Sequence, residues 1–303
     1  MLDKLEFLMA LAREKHFGRA AEASGVTQPT LSAAIKQLEE SLGVLLVNRG
    51  SRFQGFTPEG ERVLDWARRI VGDTRAMRAE VQSQKGLTGR LRIAVVPTAL
   101  PMVAQITTPY RAKHPDVQFT IWSRTSIEIL DLLENLEIDA GITYLDNEPV
   151  GRVSTVPLYQ EQYRLLTAAD APLGDRRQVT WAEVAKVPLC LLTPDMQNRR
   201  IIDGLLKNAS GEAQATLESD SMILLYSHVR TGRWASVMSA KIAETLGLAD
   251  AIRSIPIVEP KAVHTIGLVV AAREPMTPLN AALVAEARRI AALPDGKGAP
   301  TKV

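Results

Sequence analysis

The chain has 303 residues, 46% of them hydrophobic and 23% charged, a composition that suits a soluble globular protein of two or three domains. No stretch approaches the ~18 uninterrupted apolar residues of a membrane span, and charges interrupt the N-terminal MLDKLEFLMALAREKHF too often for a signal peptide or anchor, so a cytoplasmic product is expected. Net charge is +2, with residues 1–60 balanced at seven basic against seven acidic side chains, residues 61–90 at +3 and the remaining 213 residues at −1; charge alone does not announce a DNA-binding protein.

The first sixty residues read as three short helices and a hairpin. Leu5, Leu8 and Ala12 share one face of the first helix, residues 17–24 form an alanine-rich second, and Gly25-Val26 is a turn. Thr27 makes an N-cap, and Pro29 falls in the first turn, where proline is tolerated. The third helix spans 28–41 with the buried stripe Leu31, Ile35, Leu38 and Leu42, and Gly43 ends it. Residues 44–48 and 53–56 read as paired strands around a turn at 49–52.

Thr57 caps, and Pro58 begins, a long helix reaching about Lys85. Its apolar positions Val63, Leu64, Ala67, Ile70, Val71, Thr74, Met77 and Val81 approximate a heptad seam. A lone exposed helix of this length is marginal. Pairing with a second copy is therefore expected, through Val63, Ala67, Ile70, Val71, Thr74, Met77 and Val81.

From residue 91 the pattern alternates. Strands fit 91–95, 117–122, 139–143, 163–167, 189–192, 235–238 and 264–270. Helices fit 101–113, 126–136, 181–185, 197–207, 221–231, 240–246 and 279–292. Such alternation predicts a mostly parallel sheet with helices on both faces, in two α/β lobes. The single cysteine, Cys190, lies in an apolar run and reads as a small buried hydrophobe. One cysteine excludes an internal disulfide and a cysteine-rich zinc site.

Residues 17–38 meet the steric needs of a helix-turn-helix: Ala20 and Ala21 allow close helix approach, Gly25 permits the turn, and Leu31 and Ile35 anchor the second helix. The opposite face, Pro29, Thr30, Ala33, Lys36 and Gln37, is small, polar and suited to a groove; the alternative is an ordinary helical hairpin with a solvated face. The ordered elements Ala20-Ala21, Thr27-Gln28-Pro29, Leu31-Ser32, Leu38-Glu39, Leu42-Gly43, Arg49 and Thr57-Pro58-Glu59-Gly60 resemble the N-terminal signature of the LysR-type transcriptional regulators. Length, linker helix and α/β remainder extend the resemblance along the whole chain. The departures are Ala33-Ala34 where the family carries a basic or long polar residue, Val47 for an aromatic, Phe56 for a leucine, and His16 for a small N-cap.

The resemblance implies an N-terminal winged helix-turn-helix (residues 1–58), a dimerising linker helix (59–89) and a two-lobed effector domain of periplasmic-binding-protein type (90–303; lobe I about 90–161 and 267–303, lobe II about 162–266). It places Thr27, Gln28, Pro29, Thr30 and Ser32 in the major groove. There Gln28 suits adenine, Pro29 or Thr30 a thymine methyl, and Lys36 a phosphate or guanine. Arg49 and Arg52 flank the hairpin turn, where a wing reaches phosphate or a narrow minor groove. The implied partners are promoter DNA, a small-molecule effector, further copies in a dimer and tetramer, and RNA polymerase.

Hydroxyls recur at strand ends ahead of helices, where free N–H groups favour anions. Thr98 and Ala99 follow the first strand of this region, Ser123, Thr125 and Ser126 the second, and Thr193, Met196 and Gln197 lie in the second lobe. Each position alone reads equally as a plain N-cap, but ligands of open α/β sheets bind at such ends, so their recurrence leads us to expect a small acid or oxyanion; Arg124, Arg199 and Arg200 either neutralise it or are surface charges. An apolar pocket around Leu100, Met102, Met196 and Met222 would instead select an aromatic or aliphatic acid. There is no dinucleotide fingerprint, Walker motif, nucleophile elbow or zinc-protease motif, and His16, His114, His228 and His264 lack metal-ligand spacing. No enzyme, metal or cofactor is expected. A transport-type binding protein is the alternative class, and it would not need residues 1–89.

Overall fold

The computed structural model describes residues 1–49, 53–82, 86–146, 148–210, 215–248 and 251–293. The chain divides into two units, one built mainly of Met1–Gly86 and one mainly of residues from Leu87 onward.

In the first unit, α1 (Leu2–Glu14) buries Leu5, Leu8 and Leu11. In α2 (Phe17–Ala23), Ala20 and Ala21 are buried, as close helix packing requires. His16 caps α2: its Nδ1 accepts from the Gly18 and Arg19 amides at 3.1 and 3.3 Å. In α3 (Gln28–Leu42), the Thr27 hydroxyl accepts from the Thr30 amide at 3.4 Å, and Gly43 closes the helix in the left-handed region at φ +70°. Leu31, Ile35 and Leu38 are buried as the stripe predicts, but Leu42 is 44% exposed. Buried Glu39 takes over where the stripe ends. Its Oε1 accepts from the Leu46 and Val47 amides at 2.9 and 3.2 Å, tying α3 to the hairpin.

The hairpin is β1 (Val47–Arg49) against β2 (Phe53–Phe56), with Val47 opposite Phe56. The first strand starts three residues later than expected because the preceding backbone groups have other partners. The Leu45 carbonyl accepts from the Thr57 hydroxyl at 2.6 Å, and that hydroxyl accepts in turn from the Gly60 amide at 2.9 Å. A Cβ on Gly60 would lie 2.0 Å from the Leu46 carbonyl oxygen, so only glycine fits the fourth place of the Thr-Pro-Glu-Gly element.

Helix α4 (Pro58–Gln82) uses two faces. Leu64, Ala67 and Val71 are buried in the core that α1, α2 and α3 share, and Val63 packs against it. Thr74 is half-buried and donates to the Ile70 carbonyl at 2.8 Å. Trp66, Ile70, Met77 and Val81 are exposed. The expected seam is corrected accordingly: Ala67 and Val71 are core residues of this unit, and the outward stripe includes Trp66, which the heptad reading passed over.

In the second unit, β3 (Gly89–Val95) leads through a 3-10 turn at Pro97–Ala99 into α5 (Leu100–Lys113). Strand β4 (Val117–Ser123), α6 (Ser126–Glu134), β5 (Ala140–Tyr144) and the sixteen-residue β6 (Val153–Ala168) follow. Next come β7 (Val179–Thr180), α7 (Trp181–Val184), β8 (Leu189–Leu191), α8 (Gln197–Ser210) and β9 (Ala215–Glu218). The chain ends with α9 (Met222–Val229), β10 (Ser236–Ser239), α10 (Ala240–Thr245), β11 (Ile252–Val258), β12 (Val263–Ala271) and α11 (Pro278–Ala291). The main sheet has the order β4-β3-β5-β12-β6-β11-β7, with β10 also on β6. Strands β8 and β9 form a parallel pair.

The sheet is mixed, which corrects the mostly parallel expectation. Only β3 with β4 and β5, and β11 with β7, are parallel within it. Strand β12 runs antiparallel to β5 and β6, and β10 and β11 run antiparallel to β6. The cause is β6, which leaves β12 after Gln162 and pairs with β10 and β11 from Tyr163 onward. A single strand thus links two halves of the sheet, and chains returning along it run against it. Cys190, Leu192, Met196, Leu225 and Met238 form the core of the second half.

Candidate functional site

In the first unit, Thr27, Gln28, Pro29, Thr30 and Lys36 of the α3 region are all exposed, and Ser32 is half-buried. The Thr27 and Thr30 hydroxyls lie 2.9 Å apart. Lys36 reaches Glu40 at 3.8 Å with both side chains in solvent, a pair that holds little energy and leaves the ammonium available. Arg49 ends β1; Arg52 lies outside the described residues. The α3 face is therefore solvent-facing and rich in hydrogen-bonding groups, as a groove-reading helix needs.

In the second unit, the starts of α6 and α8 converge on the C-terminal end of β5 around a cavity of about 390 Å³. Ser126, Ile127, Leu130, Thr143, Tyr144 and Gln197 line it, with Glu148, Pro149 and Val150. Side chains alternate along a strand; a Cβ on Gly141 would meet Ile129 of α6, so Thr143, two residues on, faces the same helix. Thr143 is 1% exposed and its hydroxyl has no hydrogen-bond partner, an uncommon condition for a buried polar group. Thr125 is the N-cap of α6: its hydroxyl accepts from the Glu128 amide at 3.2 Å, and its own amide donates to Glu128 Oε2 at 2.9 Å. Ser126 is thus not the cap, and its hydroxyl accepts from Arg200 Nη2 at 3.3 Å. Gln197 Nε2 donates to the Asp146 carbonyl at 3.3 Å. Each helix start adds backbone N–H groups and a positive dipole end.

Next to the cavity lies a buried network. Tyr144 donates to Glu161 Oε1 in a short hydrogen bond, and Tyr159 approaches Glu161 Oε2 at 3.5 Å. The Tyr144 hydroxyl accepts from Asn198 Nδ2 at 3.2 Å and lies 3.2 Å from the Thr98 hydroxyl. Ser239 donates to the Thr98 carbonyl at 3.5 Å. Burial pushes the Glu161 carboxyl up to about 7, against the hydrogen bonds from Tyr144, Thr98, Tyr159 and Asn198 that pull it down. Burial, followed by the Glu161 charge, likewise holds the Tyr144, Tyr159 and Tyr163 hydroxyls protonated.

The expected effector residues divide. Ser126 and Gln197 line the cavity, and Thr98 belongs to the network beside it. Thr125 is occupied as a cap, Ser123 is exposed, and Ala99 is buried in the 3-10 turn. Thr193 is half-buried, with its carbonyl accepting from the Met196 amide at 3.0 Å. Met196 and Met222 pack in the core around Cys190, and Met102 is fully buried. The cavity's apolar wall is instead Ile127, Leu130, Pro149 and Val150. The arginines have protein partners. Arg199 is paired with Asp203 at 2.7 Å and Glu218 at 2.9 Å, and Arg200 with both oxygens of Glu148 at 2.8 and 2.9 Å. Arg124 turns to the Ser123 carbonyl.

Sequence reasoning missed Thr143, Tyr144, Asn198 and Glu161. Thr143 and Tyr144 end a strand and fall under the same rule that singled out Thr98. Glu161 carries no local signal, because only the pairing of β6 brings it inward.

Two family models match the chain: "Bacterial regulatory helix-turn-helix protein, lysR family" over residues 2–61 and "LysR substrate binding domain" over residues 84–292. The DNA-binding transcriptional dual regulator OxyR of Escherichia coli K12 is 30% identical, over 96% of this chain and 95% of its own. A full-length OxyR from Pseudomonas aeruginosa superposes with a TM-score of 0.74 at 27% identity, covering 95% of this chain and 94% of that one. CbnR complexed with its target DNA shares the fold at a TM-score of 0.58 and 21% identity, covering 95% of this chain and 99% of its own. The chain belongs to the LysR family of bacterial transcriptional regulators, with a helix-turn-helix for DNA and a C-terminal domain for an effector.

Proposed function

We propose that the protein binds promoter DNA as a homodimer, and that a small acid or oxyanion in the cavity between α6 and α8 controls transcription from it. Helix α3 reads the major groove through Gln28, Pro29 and Thr30, while Lys36 and the wing arginines Arg49 and Arg52 hold backbone phosphates. The exposed stripe Trp66, Ile70, Met77 and Val81 of α4 joins two copies, and dimers associate further into tetramers that act on RNA polymerase. The reading divides the chain at residues 58 and 89, with lobe II taken as about 162–266.

The observation that carries the effector assignment is Thr143, whose buried hydroxyl has no hydrogen-bond partner and which is among the residues lining a cavity between two helix starts. The apolar wall adds a preference for a short hydrocarbon group on the acid. Several relatives are named hydrogen peroxide-inducible genes activators. In this chain the one thiol, Cys190, is fully buried and burial pushes it up to about 11, the opposite of a reactive thiolate. That favours a reversibly bound effector over thiol oxidation. Calorimetry of the full-length protein against small carboxylates and oxyanions tests the site. Ser126→Ala with Thr143→Val should weaken a binding acid about tenfold or more, two hydrogen bonds being lost. An unchanged affinity would place the effector elsewhere.

A further inference from the structure

Glu161 sits midway along β6, opposite His264 of β12 in the antiparallel register. It is 1% exposed, and no lysine, arginine or histidine pairs with it among the described residues. The titratable groups facing it come from three elements. They are Tyr144 of β5, Tyr159 and Tyr163 of β6, and His264 of β12, with Lys241 of α10 beyond the Tyr159 ring. The His264 ring lies against Tyr144 and Tyr163, and its Nδ1 is 3.2 Å from Asp146 Oδ1. The Lys241 Nζ lies 5.6 Å from the Tyr159 ring centre. The two arginines at the start of α8 are held by Glu148, Asp203 and Glu218. An anion entering the cavity lined by Tyr144 thus meets dipoles, hydroxyls and the neutral Arg200–Glu148 pair, and one hydrogen bond away a carboxyl without a counter-ion. Two negative charges so placed in a site of low dielectric repel strongly.

We propose that the effector binds together with a proton, which Glu161 carries: the cleft takes a small acid as anion plus proton and releases both as pH rises above neutrality. This rests on the anionic effector assigned above. Burial alone already brings the carboxyl near neutrality, and the ligand's charge raises it further. Between the free and the bound values, affinity falls about tenfold per pH unit. Through Tyr144, which donates to Glu161 and accepts from Asn198 of α8, the carboxyl is tied to the start of the helix that borders the cavity.

The test uses the full-length protein with acetate, propionate, benzoate and nitrate as probes. Calorimetry in buffers of different ionisation enthalpy counts protons taken up on binding. At about pH 8 the expected uptake approaches one proton per acid bound, and at about pH 6 it approaches zero. Glu161→Gln, an isostere of the protonated side chain, should bind with pH-independent affinity and no uptake. Tyr144→Phe removes a donor that favours the carboxylate and should move the break in affinity to higher pH; it serves if Glu161→Gln fails to fold. Infrared difference spectra should show a protonated-carboxyl carbonyl stretch that titrates near neutrality in the wild type and is missing from Glu161→Gln. Binding without proton uptake, or a slope that persists in Glu161→Gln, overturns the inference and leaves the anionic effector standing. No binding of any probe at about pH 6 overturns the anionic effector and this inference with it. Affinity that rises with pH overturns the inference, because the anion would then bind with release of a proton instead of uptake.

Discussion

Glu161 has a consequence for stability that needs no ligand. Its folded value, about 7, lies above the ordinary 4.5, so the folded protein holds a proton that the unfolded chain releases. The stabilisation from the neutral carboxyl is complete below about pH 4.5 and declines as pH rises through 7, by up to ~1.4 kcal/mol per unit. Relative to Glu161→Gln, the wild type should lose thermal stability between about pH 5 and pH 7 and run parallel to it outside that window. Parallel melting profiles throughout would mean that the carboxyl is already ionised at pH 5. At the other functional face, Gln28 is exposed at the start of α3. Gln28→Ala should cost about 1–3 kcal/mol of operator affinity and relax the preference at one base pair per half-site. Footprinting across operator variants measures it, and an equal loss on every sequence would assign Gln28 to the DNA backbone instead.

At the scale of elements, α4 has one buried and one exposed apolar face, and the proposed division of labour is folding on the first and assembly on the second. Val71 is buried against the α1–α3 core, whereas Met77 is 58% exposed on the outer stripe. Val71→Glu places a charge in the core of its own unit and should cost about 2–5 kcal/mol of stability, visible as a lowered unfolding midpoint. Met77→Glu should leave that midpoint nearly unchanged and shift sedimentation toward smaller species. Identical behaviour of the two variants would erase the distinction between the faces. The α4 stripe was legible as a set of apolar positions, but its division into inward and outward residues was not, because apolar residues on two faces of one helix merge into a single pattern. The N-terminal helices were readable to within a residue or two, since Thr27, Gly43 and Thr57 mark their ends chemically. Strand β6 was readable only from Tyr163. Upstream, Pro157 and the polar run Gln160-Glu161-Gln162 hide a strand whose polar groups find partners on β12 and in the Tyr144 network. The candidate cavity was the least legible. Ser126 and Gln197 follow a local rule, whereas Thr143, Tyr144, Asn198 and Glu161 meet only once the crossing of the sheet is built.

For the whole molecule, regulation requires that the DNA-reading surface and the effector cavity be coupled yet separable. An effector alters operator binding only through different affinities for two arrangements of the protein, and a coupling of about 1–3 kcal/mol corresponds to a 5–150-fold change in affinity. The contacts proposed for α3 and the wing include phosphates, so operator affinity should fall steeply with salt, by the same slope with and without effector if both arrangements keep those contacts. Full-length protein carrying Ser126→Ala and Thr143→Val should retain the wild-type operator affinity and salt slope in the absence of effector. Those side chains belong to the second unit, whereas the DNA-reading residues belong to the first. The same variant should lose the effector-dependent change in affinity or in DNA bending, read by gel shift on the promoter beside its own gene. Loss of operator binding in the ligand-free variant would show that Ser126 and Thr143 support the fold or the assembly, and the cavity between α6 and α8 would no longer be the regulatory site.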